Sequence, residues 1–313
     1  MLSAETPAGR FAPSPTSRLH VGNLRTALLA WLFARSSGRR FVLRIEDLDQ
    51  QRVAAAGRIA AGQIGDLHAL GLDFDGKVWV QSNRAAAYAG ELERLRTLTY
   101  ECFCTRREIA AAAQAPHDGF RPYPGTCRDL SSSERAGRRA MRPPALRVRA
   151  GGVAQTIRDV LHGEVTLPVD DFVLVRNDGV FAYNFAVVVD DAAAGVDQVV
   201  RGDDLLSSAP RQAWLAEQLG HRAPEYAHVP LALGPDGKRL AKRDGAVTLP
   251  DLAAVGVGPN EVLSLLAASL GLAEADEPVT PSLLARRFDP AGVPVTPWVV
   301  DPHPFAPAAA RPR

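Results

Sequence analysis

The sequence predicts an α/β protein: a doubly wound parallel sheet with an insertion near its middle and a small helical part at its end. Three observations predict it. Apolar strand runs alternate with helix-period segments over the first hundred residues, in the order β-α-β-α-β-α that parallel sheets require. The composition then breaks at Tyr100, where a stretch to Asp129 holds all three cysteines of the chain. From Phe172 onward the strand–helix alternation resumes.

In order, Arg10-Phe11-Ala12 reads as the end of a short buried strand, and Leu24 to Ala34 as an apolar helix. Phe41 to Glu46 (FVLRIE) is a second buried strand ending in acids. Gln51 to Leu70 has helical period, Val78 to Val80 is a short strand, and Arg84 to Leu98 is another helix. Within the insertion, Ala145–Arg149, Ala154–Val160 and Val165–Leu167 read as antiparallel strands turning at Gly151-Gly152 and His162-Gly163. The second half then gives a strand at Phe172–Arg176, a helix Asn184–Val189 ended by Asp190-Asp191, and a strand Gln198–Arg201. A helix Ala209–Leu219 capped by Ser207 and a last strand Tyr226–Leu231 follow. The expected division is 8–99 and 171–248 for the two halves of the sheet domain and 100–170 for the insertion, with 249–306 helical and 307–313 a frayed tail.

A hydrophobic content of 46% with 23% charged residues describes an ordinary globular chain. A net charge of +1 excludes holding a nucleic acid by a global field, so such a partner must meet local patches. Val262 to Leu272, the most apolar long stretch, is too short to span a bilayer. The first residues show no apolar leader, and an odd cysteine count gives no disulfide framework. A cytoplasmic protein is expected, with a monomer the simplest state.

The chemistry centres on Arg10 to Asn23, RFAPSPTSRLHVGN. Pro13 and Pro15 stop the sheet ladder because proline has no N–H to donate. A strand, a tight turn and a helix N-terminus then make an anion site. Gly22 allows close approach to the backbone, and His20 can donate to a phosphate oxygen beside the helix end. A lone His-x-Gly in a proline loop would be a surface feature; the flanking strand and helix favour function. Glu46 falls at the carboxyl edge of its strand, where open parallel sheets bind ligands, whereas Asp49 suits a helix cap. The arginines from Arg135 to Arg149 read first as a solvated face. In the insertion, Cys102, Cys104 and Cys127 are either three buried thiols or three of the four ligands a closed zinc site needs, with His117 chemically able to be the fourth.

The string RFAPSPTSRLHVG resembles the first signature of class I aminoacyl-tRNA synthetases of the glutamyl branch, with Ser17 where that branch usually has glycine. Lys238-Arg-Leu-Ala-Lys-Arg243 resembles the second signature, with Ala241 in place of a serine. The resemblance implies that His20 and Lys242 are catalytic and that His20, Gly22, Asn23 and Lys242 hold ATP with Mg2+. It implies glutamate contacts at Arg10, Phe11, Ala12, Pro13, Ser14, Glu46, Tyr183 and Arg201. Two arginines and one acid match the two carboxylates and one ammonium of glutamate. Cys-x-Cys followed by Tyr-x3-Cys implies one structural Zn2+ on Cys102, Cys104, Tyr123 and Cys127.

Glutamyl-tRNA synthetases continue into a helical anticodon-binding region, and only residues 243 to 313 follow Lys242 here. The chain therefore resembles the truncated members of the branch. These activate L-glutamate with ATP in the absence of tRNA and transfer it to queuosine in the anticodon loop of tRNA(Asp). The competing expectations are an enzyme that charges a tRNA acceptor end and, from another class, a non-catalytic zinc-containing RNA-binding module.

Overall fold

The structure, a computed structural model, describes residues 6–49, 56–105, 107–109, 122–238, 240, 247–274 and 276–300. Ala241, Lys242, His117 and the tail from 301 lie outside the described residues.

A seven-stranded sheet organises the chain, with β1 (Ala8–Phe11), β2 (Arg40–Ile45) and β3 (Trp79–Val80) running parallel to one side. On the other side of β1 lie β9 (Val196–Gly202) and β10 (Glu225–Val229), also parallel, so the winding direction reverses between β1 and β9. That reversal opens a crevice at the carboxyl ends of both strands, the place where such sheets bind ligands.

Helix α1 (Val21–Ser36) covers this junction. It is apolar nearly all round and buried from Leu24 to Ala34 except at Thr26, because it is packed between the sheet and the helices Pro259–Ala268 and Pro281–Arg287. Arg25 is the polar exception inside this layer. It donates to Pro230 O at 3.1 Å, Ser269 Oγ at 3.1 Å and Ser269 O at 3.3 Å, which fastens the C-terminal helices to the sheet. Burial pulls its pKa down to about 10.

Several expectations are corrected. The hairpin β6 (Val153–Asp159) and β7 (Gly163–Val169) does not stay within the insertion: β6 pairs with β10 through Tyr226 and Asp159 and extends the main sheet. The strand expected to open the second half, β8 (Val173–Val175), instead pairs antiparallel with β5 (Ala145–Val148) in a separate sheet beside β4 (Thr99–Cys102). Strand β10 is not the last. Ala232–Leu233 (β11) pairs with Trp298–Val299 (β12), because the C-terminal segment returns to the sheet domain. The helix from Tyr183 continues past Asp190 and Asp191 to Ala194, where Gly195 ends it at φ 70°. A 3₁₀ turn from Asp203 to Ser208 precedes the helix at Ala209, whose cap position is Ser208 with no side-chain bond, so Ser207 is not a cap. No described non-glycine residue has positive φ, so Ser17 sits in ordinary backbone geometry. Among the described residues no helix is long and apolar enough to cross a membrane.

Candidate active site

A cleft of 590 Å3 opens at the sheet's switch point, lined by Phe11, Ala12, Pro13 and Ser14 after β1 and by His20, Gly22 and Asn23 at the start of α1. The loop between them is braced by Gln63, whose amide donates to Ser14 O at 3.1 Å and Ser17 O at 2.7 Å. Across the cleft stand Gly202, Leu205, Leu231 and Leu240. Leu240 and Val247 flank the undescribed Lys242, and Val247 O accepts from Val21 N at 3.0 Å. Leu240 and Val247, the described residues on either side of 241–246, therefore both lie against the first signature string at the start of α1.

His20 caps that helix. Its Nδ1 accepts from Asn23 N at 3.3 Å, while Asn23 Oδ1 accepts from His20 N at 3.3 Å. An accepting Nδ1 leaves the proton on Nε2, and burial lowers the pKa of the ring, so His20 is a neutral Nε2–H donor. The Val21 and Asn23 N–H groups are used, which leaves Gly22 N–H as the first-turn donor without a partner among the described residues. The glycine itself answers a packing need: a Cβ there would stand 2.9 Å from Ala232 Cβ and 3.1 Å from the His20 ring.

At the strand ends beside this cleft, Arg10, Glu46, Arg201 and Tyr183, which opens its helix, lie near enough to act on one another electrostatically, although none of them lines the cleft itself. Strand β2 stops at Ile45, so Glu46 is the first residue beyond it, tied by its N–H to Pro13 O at 3.1 Å. Glu46 Oε1 accepts from Arg44 Nη2 at 3.1 Å. Burial raises the Glu46 pKa, partly offset by Arg44 and Arg10. Arg10 donates from Nη1 to Val200 O at 3.0 Å and lies 3.6 Å from Asp191, with burial lowering its pKa. The approach to Asp191 is made by Nε, which is buried and makes no shorter hydrogen bond.

Arg201 is also buried, and every acceptor it has is neutral. Nε donates to His228 Nε2 at 3.0 Å, Nη1 to Gln212 Oε1 at 2.7 Å and Nη2 to Leu205 O at 3.3 Å. No carboxylate among the described residues pairs with it, and each η nitrogen keeps one further N–H. A desolvated cation without a counter-ion is costly unless an anion joins it.

Sequence reading missed the layer beneath. Arg44, Asp190 and Asp191 are buried: Arg44 donates to Asp191 at 2.5 Å and lies 3.8 Å from Asp190. Asp190 also accepts from Tyr88 Oη at 2.8 Å, from Gln81 Nε2 at 2.9 Å and from Arg84. The signal was present in the charged residues of apolar elements, the Arg of FVLRI and the Asp-Asp of AVVVDDAAA.

Some distance along the chain, the sulfurs of Cys102, Cys104 and Cys127 lie within 4.8 Å of one another and could hold a metal ion. Cys104 and Cys127 Sγ are 3.5 Å apart, and Tyr123 Oη is 3.4 Å from Cys102 Sγ and 3.6 Å from Cys104 Sγ. A tetrahedral zinc with ordinary bond lengths would place two sulfurs about 3.8 Å apart and a sulfur and an oxygen about 3.5 Å apart. The donor set fits that geometry. Burial opposes ionisation of Cys127, but the Phe103 N–H, Tyr123 and Arg138 outweigh it and lower its pKa. The Arg147 guanidinium stacks 3.8 Å over the Tyr123 ring, and Cys127 N donates to Tyr123 Oη at 2.8 Å.

A doubly wound sheet with the first signature string at its switch point, and Leu240 of the second lining the same cleft, defines the catalytic core of a class I tRNA synthetase. The family described as tRNA synthetases class I (E and Q), catalytic domain, matches residues 8–293. The chain is 60% identical over 296 residues to the glutamyl-Q tRNA(Asp) synthetase of Nocardia farcinica, covering 94% of this chain and 93% of that one. It is 58% identical to the protein of the same name from Cutibacterium acnes, covering 87% of this chain and 78% of that one. A crystal structure of a glutamate tRNA ligase from Elizabethkingia meningosepticum superposes with a TM-score of 0.79 at 28% identity, over 96% of this chain and 68% of that one. The chain belongs to the class I tRNA synthetases of the E and Q type, a family of ligases, and within it to the group of the glutamyl-Q tRNA(Asp) synthetases.

Proposed function

We propose that the chain activates L-glutamate with ATP, without tRNA, and transfers the glutamyl group to queuosine in the anticodon loop of tRNA(Asp). The observation that carries the glutamate reading is Arg201, a buried cation whose partners are all neutral. Arg10 supplies a second guanidinium, its Nε facing Asp191 at 3.6 Å, and Glu46 an anion for the ammonium. Tyr183 adds a hydroxyl, and the backbone from Phe11 to Ser14 walls the ligand.

In the first step the α-carboxylate oxygen of glutamate attacks the α-phosphorus of ATP, the bond to the β-phosphate oxygen breaks, and pyrophosphate leaves. The chain's contribution is placement and charge stabilisation. His20 donates from Nε2 to the phosphates, the Gly22 N–H and the positive end of α1 face them, and Asn23 keeps the His20 ring in its tautomer. Lys242 acts on the leaving pyrophosphate. Mg2+ bound with the nucleotide would supply further neutralisation of phosphate charge. Cys102, Cys104, Tyr123 and Cys127 would hold one structural Zn2+, the last two packed by Arg147 and Arg138.

The test uses labelled glutamate. Pyrophosphate exchange into ATP is expected without tRNA, and label is expected on queuosine-containing tRNA(Asp) but not on tRNA(Asp) lacking queuosine. Label on the 3′-terminal adenosine of tRNA(Glu) would overturn the acceptor, and absence of exchange would overturn the activation.

A further inference from the structure

The hairpin that leaves the insertion and joins the main sheet ends β6 at Asp159, directly beside β10. Asp159 is buried, and all four of its lone-pair positions are occupied. Oδ1 accepts from Leu161 N at 2.9 Å and His162 N at 3.0 Å, and Oδ2 from His228 N at 3.0 Å and His228 Nδ1 at 2.6 Å. Burial works against its ionisation, but these hydrogen bonds prevail and keep it an acceptor-only carboxylate. Its partner Nδ1 must therefore carry a proton. The neutral His228 ring is then left with a lone pair on Nε2, and Arg201 Nε–H donates into it at 3.0 Å. A doubly protonated ring would set an N–H and a positive charge against the guanidinium.

We propose that His228, held by Asp159, is a positioning residue that fixes the Arg201 guanidinium for a carboxylate of the amino-acid substrate. The inference rests on the reading of Arg201 as a glutamate contact. Only a neutral acceptor could do this work. A carboxylate placed at His228 would pair with Arg201 directly and compete with the ligand. An imidazole fixes the guanidinium plane while leaving its charge and its two outer N–H groups for the substrate. The Asp159 charge stands one ring away, spent on donors of its own. Arginine has a long flexible side chain, so this restraint settles before binding what the ligand would otherwise have to order. The hairpin thereby becomes a supporting wall of the glutamate pocket.

Two substitutions separate positioning from mere packing. In His228→Gln the amide oxygen can reach the place of Nε2 and accept from Arg201. In His228→Asn a shorter amide can still donate to Asp159 but leaves Arg201 Nε–H without an acceptor. The glutamate KM in pyrophosphate exchange should rise roughly tenfold in His228→Asn and stay within about threefold of the parent in His228→Gln, with the ATP KM unchanged in both. Nitrogen-15 NMR of the unaltered protein should show the neutral His228 ring protonated at Nδ1, a reading that needs no variant. An Nε2–H tautomer or an imidazolium at neutral pH would overturn the inference. So would glutamate and ATP constants that move together, or a His228→Asn enzyme of parental glutamate KM, while Arg201→Ala raises that constant. If Arg201→Ala itself leaves the glutamate KM unmoved, the glutamate reading falls first.

Discussion

Replacing Glu46 by glutamine removes one charge from the end of β2 while keeping the side chain's shape. Glu46 Oε1 is engaged by Arg44 at 3.1 Å, and its second oxygen has no partner among the described residues, which leaves one site for the substrate ammonium. A hydrogen bond between charged groups is worth about 1.5–3 kcal/mol, so the glutamate KM should rise roughly ten- to a hundredfold while the ATP KM stays within about twofold. Glutarate, which lacks the ammonium, closes the cycle as a competitive inhibitor: it should bind parent and variant with far more similar strength than glutamate does. The pH profile adds a second reading. Because burial raises the Glu46 pKa, the acid limb of kcat/KM for glutamate should lie above the ordinary carboxylate range in the parent. In Glu46→Gln that limb should drop to the substrate's own γ-carboxyl, near about 4.3. The stability sign follows from the same shift. A carboxyl whose folded pKa is raised stabilises the fold at pH below its unfolded value and loses that contribution as pH rises through the folded one. At neutral pH the variant should therefore be no less stable than the parent. An unchanged glutamate KM, or an equal rise for ATP, would refute the placement of Glu46 against the ammonium.

Removing the carboxylate of Asp190, which is wholly buried and serves Tyr88, Gln81 and Arg84, should cost about 3–5 kcal/mol in urea unfolding of Asp190→Ala; a loss under about 1 kcal/mol would mean the cluster is not structural. Elemental analysis should find about one zinc per chain, and Cys127→Ser should lose it and increase hydrogen exchange in the segment around Tyr123 while β1 and β9 stay protected. A folded, fully active parent without metal would contradict that assignment.

The main sheet was legible because its strands are short apolar runs separated by helices of clear period, and parallel order follows from that alternation. Pairing partners were less so. Val153–Asp159 looks like any two-sided antiparallel strand, and nothing in its composition tells whether its free edge meets the small sheet or β10. The decision is made by a single pair, Tyr226 with Asp159, and by the buried bonds from Asp159 to His228. Val173–Val175 was ascribed to the main sheet for the same reason: strand character is local, whereas sheet membership depends on residues distant in the chain.

Of the site, the motif residues were readable one by one, since His20, Gly22 and Asn23 lie in a compact string and Arg10, Glu46 and Arg201 each lie at or just past the carboxyl end of a strand. What the sequence did not reveal is how these charges are kept apart and in place. Arg44 and Asp191 stand between Arg10 and Glu46, pairing with each other so that neither recognition residue is neutralised by the other. Arg201 takes the opposite solution and is held by neutral acceptors alone. The two arginines thus sit in unlike surroundings: Arg10 beside a carboxylate, and Arg201 with no carboxylate partner among the described residues. Arg201 should accordingly be the more sensitive to a ligand's negative charge, because its charge has no protein anion to share. The buried acids that make this asymmetry occur as Asp-Asp in an alanine- and valine-rich helix, where a helix end was the simplest reading. In a helix packed on a sheet, a charge in the apolar stripe is better read as facing another charge across the core.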